Sequence, residues 1–453
     1  MVAEWRSSVT TVLLTDNNYF FSIPIISIFI RSNLFMTKEK KLTTNVLNMA
    51  VIIAALGYFV DIYDLLLFGI VRVPSLQALG YSGDDLLNKG AFLLNWQMGG
   101  MLVGGILWGI IGDKRGRLSV LFGSIFLYSA ANILNGTVQN LQMYAFYRFI
   151  AGVGLAGELG AGITLVSEVM TKENRGYGTT VVAAFGIFGA VAGGVVAKLF
   201  DWRTAYYIGG ALGIALLILR ISAYESGMFH QLKNENVSRG DFFSLFTQRK
   251  RFSKYLKCIL IGVPIWYVIG ILITFGPEYA QKLGIAIDAA TGKTMITGGN
   301  TIMYHYAGAA TGALLCGLIS QYLQQRKKAL FYFLIADAVF VFIYVFLRGA
   351  SEITFYIVAF LFGIANGYWS VFMTVASEQF GTNIRATVTT TTPNFVRGSV
   401  VPMTSLFLLL KSYTGNIITA ALVVGILVLV IAFIALARTE ETFGKDLDYT
   451  EAG

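Results

Sequence analysis

From residue 46 to residue 437 the chain alternates long apolar runs with short polar breaks. Twelve runs approach or exceed the roughly 20 residues a helix needs to cross a bilayer. They lie near 46–70, 90–111, 118–136, 142–167, 176–198, 204–222, 256–277, 298–322, 329–347, 353–377, 386–410 and 415–437. The longest polar stretch inside the series is 223–255, which divides it six and six. The pattern predicts an all-α membrane protein with twelve transmembrane helices in two six-helix bundles, 45–222 and 256–437. A cytoplasmic linker, 223–255, joins them. Residues 1–44 form an N-terminal cytoplasmic segment and 438–453 a cytoplasmic tail. Phe20 to Ile30 is too short to span, and Met36-Thr37-Lys38-Glu39-Lys40-Lys41 reads as an ordinary cytoplasmic start. Residues 1–35 are therefore expected to be an upstream extension.

Composition agrees with this pattern. Of 453 residues 56% are hydrophobic and 13% charged, where a soluble domain carries roughly a quarter charged residues. Twelve spans leave no room for a soluble catalytic domain, and the chain carries no nucleophile, metal or cofactor signature, so an enzyme is not expected. Cys258 and Cys316 both fall within spans, and His230 and His305 are the only histidines. That set gives neither a disulfide framework nor metal spacing. The net charge of +9 follows from topology. If residue 45 is cytoplasmic, the clusters at 38–41, 114–117, 172–175, 233–257 and 326–328 all lie inside, with Arg385, Arg438 and Lys445. This positive-inside bias places both termini in the cytoplasm and the chain, multi-pass, in the cell (inner or plasma) membrane. Anionic lipid headgroups, not nucleic acid, are the expected partner of the basic charge. A monomer is the expected form.

One polar signature occurs twice. Ser167-Glu168, six residues, Arg175 and Thr179-Thr180 recur 210 positions later as Ser377-Glu378, six residues, Arg385 and Thr389-Thr390, with Gly157 and Gly367 in register. Repeated bundles around one site are common in secondary transporters. Between the second and third runs stands Gly109-Ile-Ile-Gly112-Asp113-Lys114-Arg115-Gly116-Arg117. Its glycines allow a tight turn, and Asp113 is placed to cap a helix. After the eighth run a degraded counterpart has Gln321 where the acid belongs, then Arg326-Lys327-Lys328.

The 109–117 segment resembles the loop signature of the major facilitator superfamily. The glycine-rich run Gly152-Val-Gly154-Leu-Ala-Gly157-Glu158-Leu-Gly160 and the pair Glu168 with Arg175-Gly176 look like the same superfamily, over about 45–440. Asp61-Ile-Tyr63-Asp64 followed by Gly69, the run ending Gly157-Glu158, and Asn394-Phe-Val-Arg397-Gly398 with Pro402 resemble the metabolite–proton symporters. Glu378 to Arg385-Ala386 also resembles the sugar-porter branch. The resemblance implies a gating role for Asp113 and Arg117, and a cavity lined by spans 1, 2, 4, 5, 7, 8, 10 and 11. The duplicated pairs Glu168/Arg175 and Glu378/Arg385 are expected to latch the inner face through salt bridges between helices.

A charge at mid-membrane costs about 2.5–3.5 kcal/mol on the mildest scale, so Asp61, Asp64, Arg148, Glu158, Asp337 and Arg397 call for function or pairing. Glu158 and Arg397 both lie about 15 Å into their spans at ~1.5 Å per residue. Arg397 is expected to bind a substrate carboxylate, its planar fork being suited to one; the alternative is a permanent pair with Glu158. Asp64 or Glu158 is the expected proton site, with Asp61 and Arg148 nearby; the alternative for Asp64 is a fixed pair with Arg148. Asp337 is read as helix packing or a partner of the 326–328 cluster. Gln97, Asn394, His305, Trp266, Tyr267, Tyr368 and Trp369 complete the candidate substrate site. For His305 the alternative is a hydrogen bond between helices, and for the aromatics simple packing.

The chain thus reads as a secondary transporter of a small organic anion or zwitterion, coupled to protons by alternating access. A sugar or polyol symporter and a proton-driven exporter are the other readings.

Overall fold

The computed structural model describes residues 49–115, 117–158, 175–225 and 242–445; within these the side chains of 49–50, 112–118, 175–180, 183–184, 222–225, 382–383 and 386 fall outside the description. The helices are α1 (Met49–Ala78), α2 (Asp84–Arg115), α3 (Arg117–Asn135), α4 (Leu141–Leu155), α5 (Arg175–Leu199), α6 (Trp202–Glu225), the short α7 (Ser244–Thr247), α8 (Arg249–Tyr267), α9 (Gly276–Leu283), α10 (Gly298–Leu323), α11 (Arg326–Val345), α12 (Glu352–Asn366), α13 (Trp369–Glu378), α14 (Thr382–Gly398), α15 (Val400–Thr414) and α16 (Ile417–Ala437). Among the described residues each predicted run is occupied by helix, the fourth being described only as far as Glu158. Among the described residues nine spans are long and apolar enough to cross a membrane, and shorter apolar helices fill the third and fifth runs. With α4 in the fourth run, all twelve are accounted for.

Burial runs opposite to that of a soluble domain. Phe126, Leu199, Ile218, Leu318 and Ile353 are exposed, whereas Asp61, Asp64, Arg148, Glu158, Asp337 and Arg397 are buried. An apolar exterior of this extent belongs against lipid.

Helix pairs approach closely at glycines. Gly100 and Gly152 carry α2 and α4 onto each other, facing the carbonyls of Phe149 and Gln97. Gly308 and Gly363 do the same for α10 and α12, against Phe360 and His305. A Cβ at any of these four would collide with backbone, so the glycines set how near the axes come.

Helices from the early and late parts of the chain also meet. α5 packs on α10, and α2 on α14 and α15. Among the described residues three of the interrupted spans break beside the site described below. Past Pro264, α8 passes into a π-helix over Val268–Ile273. α12 stops at Asn366 and α13 restarts at Trp369, while α14 gives way to α15 at Ser399.

Candidate functional site

A central cavity is lined by α1, α5, α8 with its π-helical extension, α10, the α12–α13 break and α14. Arg397 lines it, 1% exposed. The guanidinium lies 5.8 Å from the Trp266 ring centre and 5.7 Å from that of Trp369, and Nε and Nη1 have no hydrogen-bond partner. Because α13 restarts at Trp369, that ring enters from the break, while Trp266 enters from α8 just before the π-helix. Trp266, Trp369 and Arg397 thus form one wall, as their residue types suggested. Tyr58, Ile62 and Leu65, spaced i, i+4 and i+7 along α1, also line the cavity, with Tyr306 of α10. Sequence reasoning passed over Tyr58, although it lies three positions before Asp61 on the same helix.

Five of the predicted binding residues lie elsewhere. Gln97 is fully buried and donates to the Leu65 carbonyl at 3.0 Å, joining α2 to α1. Asn394 donates to the Ala156 carbonyl at 2.8 Å, bridging α14 and α4, with Gly105 of α2 pressed against it. Tyr267 donates to the Ala421 carbonyl at 2.7 Å and Tyr368 to that of Ile261 at 3.3 Å, so both hold helices behind the wall. Their position relative to Arg397 was readable; the rotation of each helix about its axis was not. His305 is buried behind Asn366, itself a wall residue that sequence reasoning missed.

The acidic residues of the early spans separate into two environments. Glu158 does not face Arg397. It binds Arg220 of α6 through two hydrogen bonds, one at 3.0 Å from Nη1 to Oε2 and a second between Nη2 and Oε1, and both residues are buried. Arg220 stands at the end of the sixth run, where a basic residue reads as an anchor in the membrane interface. Asp61 and Asp64 differ: all four carboxyl oxygens are buried without a hydrogen-bond partner. Arg397 is the cation acting most strongly on Asp61. Arg148 is the one acting most strongly on Asp64, yet makes no hydrogen bond to it, so the fixed Asp64–Arg148 pair is absent. The guanidinium of Arg148 lies 5.4 Å from the Phe68 ring and 5.8 Å from the Tyr206 ring. Gly209 gives α6 the room to pass Asp64.

The expected latches are only partly visible. The side chains of Asp113, Arg117 and Arg175, and the whole of Glu168, lie outside the described residues. In the second copy Glu378 accepts from Arg326 at 3.3 Å and from the Thr442 hydroxyl at 2.7 Å. Arg385 directs Nε to the carbonyls of Ser377 and Phe380. Asp337 bonds to Asn366 of α12 at 3.2 Å rather than to the 326–328 cluster. At the opposite end, Arg72 of α1 is fully buried, donates to Glu278 of α9 at 2.7 Å and to the carbonyls of Leu86 and Thr274, and lies 4.7 Å from the Phe275 ring. Arg72 was not singled out from the sequence.

A family model described as Major Facilitator Superfamily matches residues 54–401. The chain belongs to the major facilitator superfamily. Two curated relatives are 26% identical to this superfamily member. One is a candidate metabolite transport protein of Haemophilus influenzae, matched over 75% of this chain and 83% of the relative. The other is the sialic acid transporter NanX of Escherichia coli, over 60% and 68%. The solved structure titled as an inward open conformation of the xylose transporter XylE from E. coli superposes with a TM-score of 0.63. It covers 88% of this chain and 97% of the other at 15% identity, a likeness of fold. The superfamily member is a multi-pass membrane transporter of small molecules, not an enzyme.

Proposed function

We propose that the chain moves a small organic acid across the membrane together with a proton, by alternating access of the central cavity. One observation carries the reading. Arg397 is a buried guanidinium on the cavity wall, set between two tryptophans, with two of its nitrogens free of protein partners. A carboxylate is the group such a fork accepts best, and flat or ring-bearing acids would lie against Trp266, Trp369, Tyr58 and Tyr306. The sugar alternative fares less well. A neutral sugar would leave the buried Arg397 charge without a counter-ion.

Proton coupling is assigned to Asp61, with Asp64 and Arg148 behind it. When a substrate anion occupies Arg397, Asp61 loses its strongest counter-charge, and a carboxyl without a fixed partner then takes up a proton. Substrate and proton would cross together. Glu158, committed to Arg220, is assigned to structure. The bundles 45–222 and 256–437 would rock about the cavity, opening it at one end and then the other. The sequence-predicted orientation puts the Arg72–Glu278 contact outside and the Asn394–Ala156 contact near mid-membrane.

The test is ligand-induced thermal stabilisation of the purified chain with a panel of carboxylic acids, repeated with Arg397→Lys and Arg397→Gln. Binding by the parent chain and its loss in both variants supports anion recognition. Undiminished binding in Arg397→Gln rejects it.

A further inference from the structure

A groove between α11 and α12 takes no part in the central cavity. Tyr332, Ala336 and Phe340 of α11 line it, together with Leu361 and Ala365 of α12. Both rows advance by four residues, so each is one face of its helix. On α11 a small residue stands between two rings, which leaves a notch in the helix surface. The neighbouring row Phe331, Ile335 and Val339 is exposed, as is Ile357 of α12. The groove therefore opens on the apolar exterior that belongs against lipid. From Tyr332 to Phe340 it extends about 12 Å at ~1.5 Å per residue, most of the depth of one leaflet, which is about half of the ~30 Å hydrocarbon core.

One turn before Tyr332 the same row reaches Lys328. Its two basic neighbours are committed to protein. Arg326 donates to Ser320 at 3.0 Å and to Glu378 at 3.3 Å, and Lys327 donates to the Ala437 carbonyl at 3.3 Å. Lys328 is exposed and belongs to no ion pair among the described residues. Side chains on a helix lean toward its N-terminus, and a lysine near a helix end carries its ammonium to the membrane surface along an apolar stem. The row thus runs from a charge to a channel for hydrocarbon, the order of a phospholipid from head to tail. A free inorganic anion would leave the apolar part uncovered, and an apolar helix of a second copy would leave the lysine without a counter-charge.

We propose that the α11–α12 groove binds an anionic phospholipid, its phosphate on Lys328 and one acyl chain lying past Tyr332 to Phe340. The sequence-predicted orientation puts this site in the cytoplasmic leaflet, where anionic lipids gather. The site stands whether or not the cavity takes organic acids. Its floor is the seam beside the α12–α13 break: Ala336 precedes Asp337, Ala365 precedes Asn366, and those two polar residues bond across the helices at 3.2 Å. A seated chain braces α11 against α12 at that point.

The experiment uses the full chain in detergent and a phosphatidylglycerol with a diazirine in one acyl chain, which on illumination labels the residues it touches. Labelled peptides are identified by mass spectrometry. Label is expected on 332–340 and on 361–365. Dioleoyl phosphatidylglycerol should displace it on the order of fivefold more effectively than dioleoyl phosphatidylcholine, the weight of one lysine at the lipid surface. In Lys328→Gln that ratio should fall to about one, with phosphatidylcholine competing as before. In Ala336→Trp the ring fills the notch, and label in both segments should be lost. Label spread evenly over other exposed faces, such as those of Ile218 on α6 and Leu318 on α10, means annular lipid only and overturns the proposal. So does a ratio of one in the parent chain, or a fivefold ratio that survives Lys328→Gln, since either removes the lysine from the site. Should Ala336→Trp fail to fold, the Lys328→Gln ratio decides alone.

Discussion

Glu158 and Arg220 form a bidentate ion pair between the segment following α4 and α6, buried beneath Gly57 of α1, whose missing side chain leaves them their space. The pair is a structural element. Removing one partner of a buried pair leaves the other charged and uncompensated, at about 3–5 kcal/mol. Glu158→Gln is therefore expected to lower the unfolding temperature strongly. Glu158→Leu combined with Arg220→Met should recover much of that loss. Proton movement per substrate in reconstituted vesicles should be unchanged in whatever protein survives. A Glu158→Gln variant of parental stability that no longer moves protons would reverse the assignment.

Asp61 carries the opposite expectation. Its carboxyl oxygens have no hydrogen-bond donor to lose, so Asp61→Asn should fold with stability near that of the parent. It should still exchange bound substrate across the membrane, but without net uptake driven by a pH gradient. Proteoliposomes with an imposed gradient, compared with counterflow in its absence, give both readings. Gradient-driven accumulation at the parental rate would remove Asp61 from the coupling path.

The Arg72–Glu278 contact joins α1 to α9 and is sheltered, Glu278 being 17% exposed. Glu278→Gln should weaken closure at that end of the cavity. With Cys258 and Cys316 replaced by alanine, a cysteine introduced at Ala309 on the wall should be labelled from that side about fivefold or more faster than in the same background with Glu278 intact, within the 1–3 kcal/mol typical of conformational coupling. Equal labelling rates would mean that the pair does not hold the cavity shut.

Gly363 faces the His305 carbonyl across the α10–α12 crossing. A methyl group there cannot be accommodated by a side-chain rotation, because its neighbour is backbone. Gly363→Ala should cost on the order of 1–3 kcal/mol through overpacking and weaken aromatic-acid binding by spreading the wall. The thermal midpoint of the purified variant is the measurement, and a midpoint within a degree of the parent would show that the helices part without strain.

What the sequence disclosed followed the physics of the bilayer. Hydropathy marks where helices are because lipid imposes one condition on every span, and the described part of each of the twelve runs holds helix. Arg397 and Asp61 were legible because a mid-membrane charge is rare enough to stand out. Trp266, Tyr267, Tyr368 and Trp369 were legible alike as aromatic candidates, yet only the tryptophans line the cavity, while Tyr267 and Tyr368, one position away, point behind the wall. A helix turns about 100° per residue, and nothing local in the sequence fixes its rotation; glycine contacts such as Gly308 on Phe360 do so in three dimensions. Arg220 and Glu278 escaped notice because each gains meaning only from a partner 62 and 206 positions away.

The π-helix at Val268–Ile273 inserts one more residue per turn than its surroundings, with Thr274 closing it through a bond from its amide to the Ile269 carbonyl at 3.0 Å. Such a turn holds a residue of slack in an otherwise taut rod. Passing that surplus along the helix would swivel Trp266 relative to Phe275 without breaking the chain of hydrogen bonds. The seventh span thus has the mechanical character of a torsion joint, able to turn the Trp266 end of the cavity wall while the segment around Arg72 and Glu278 stays seated.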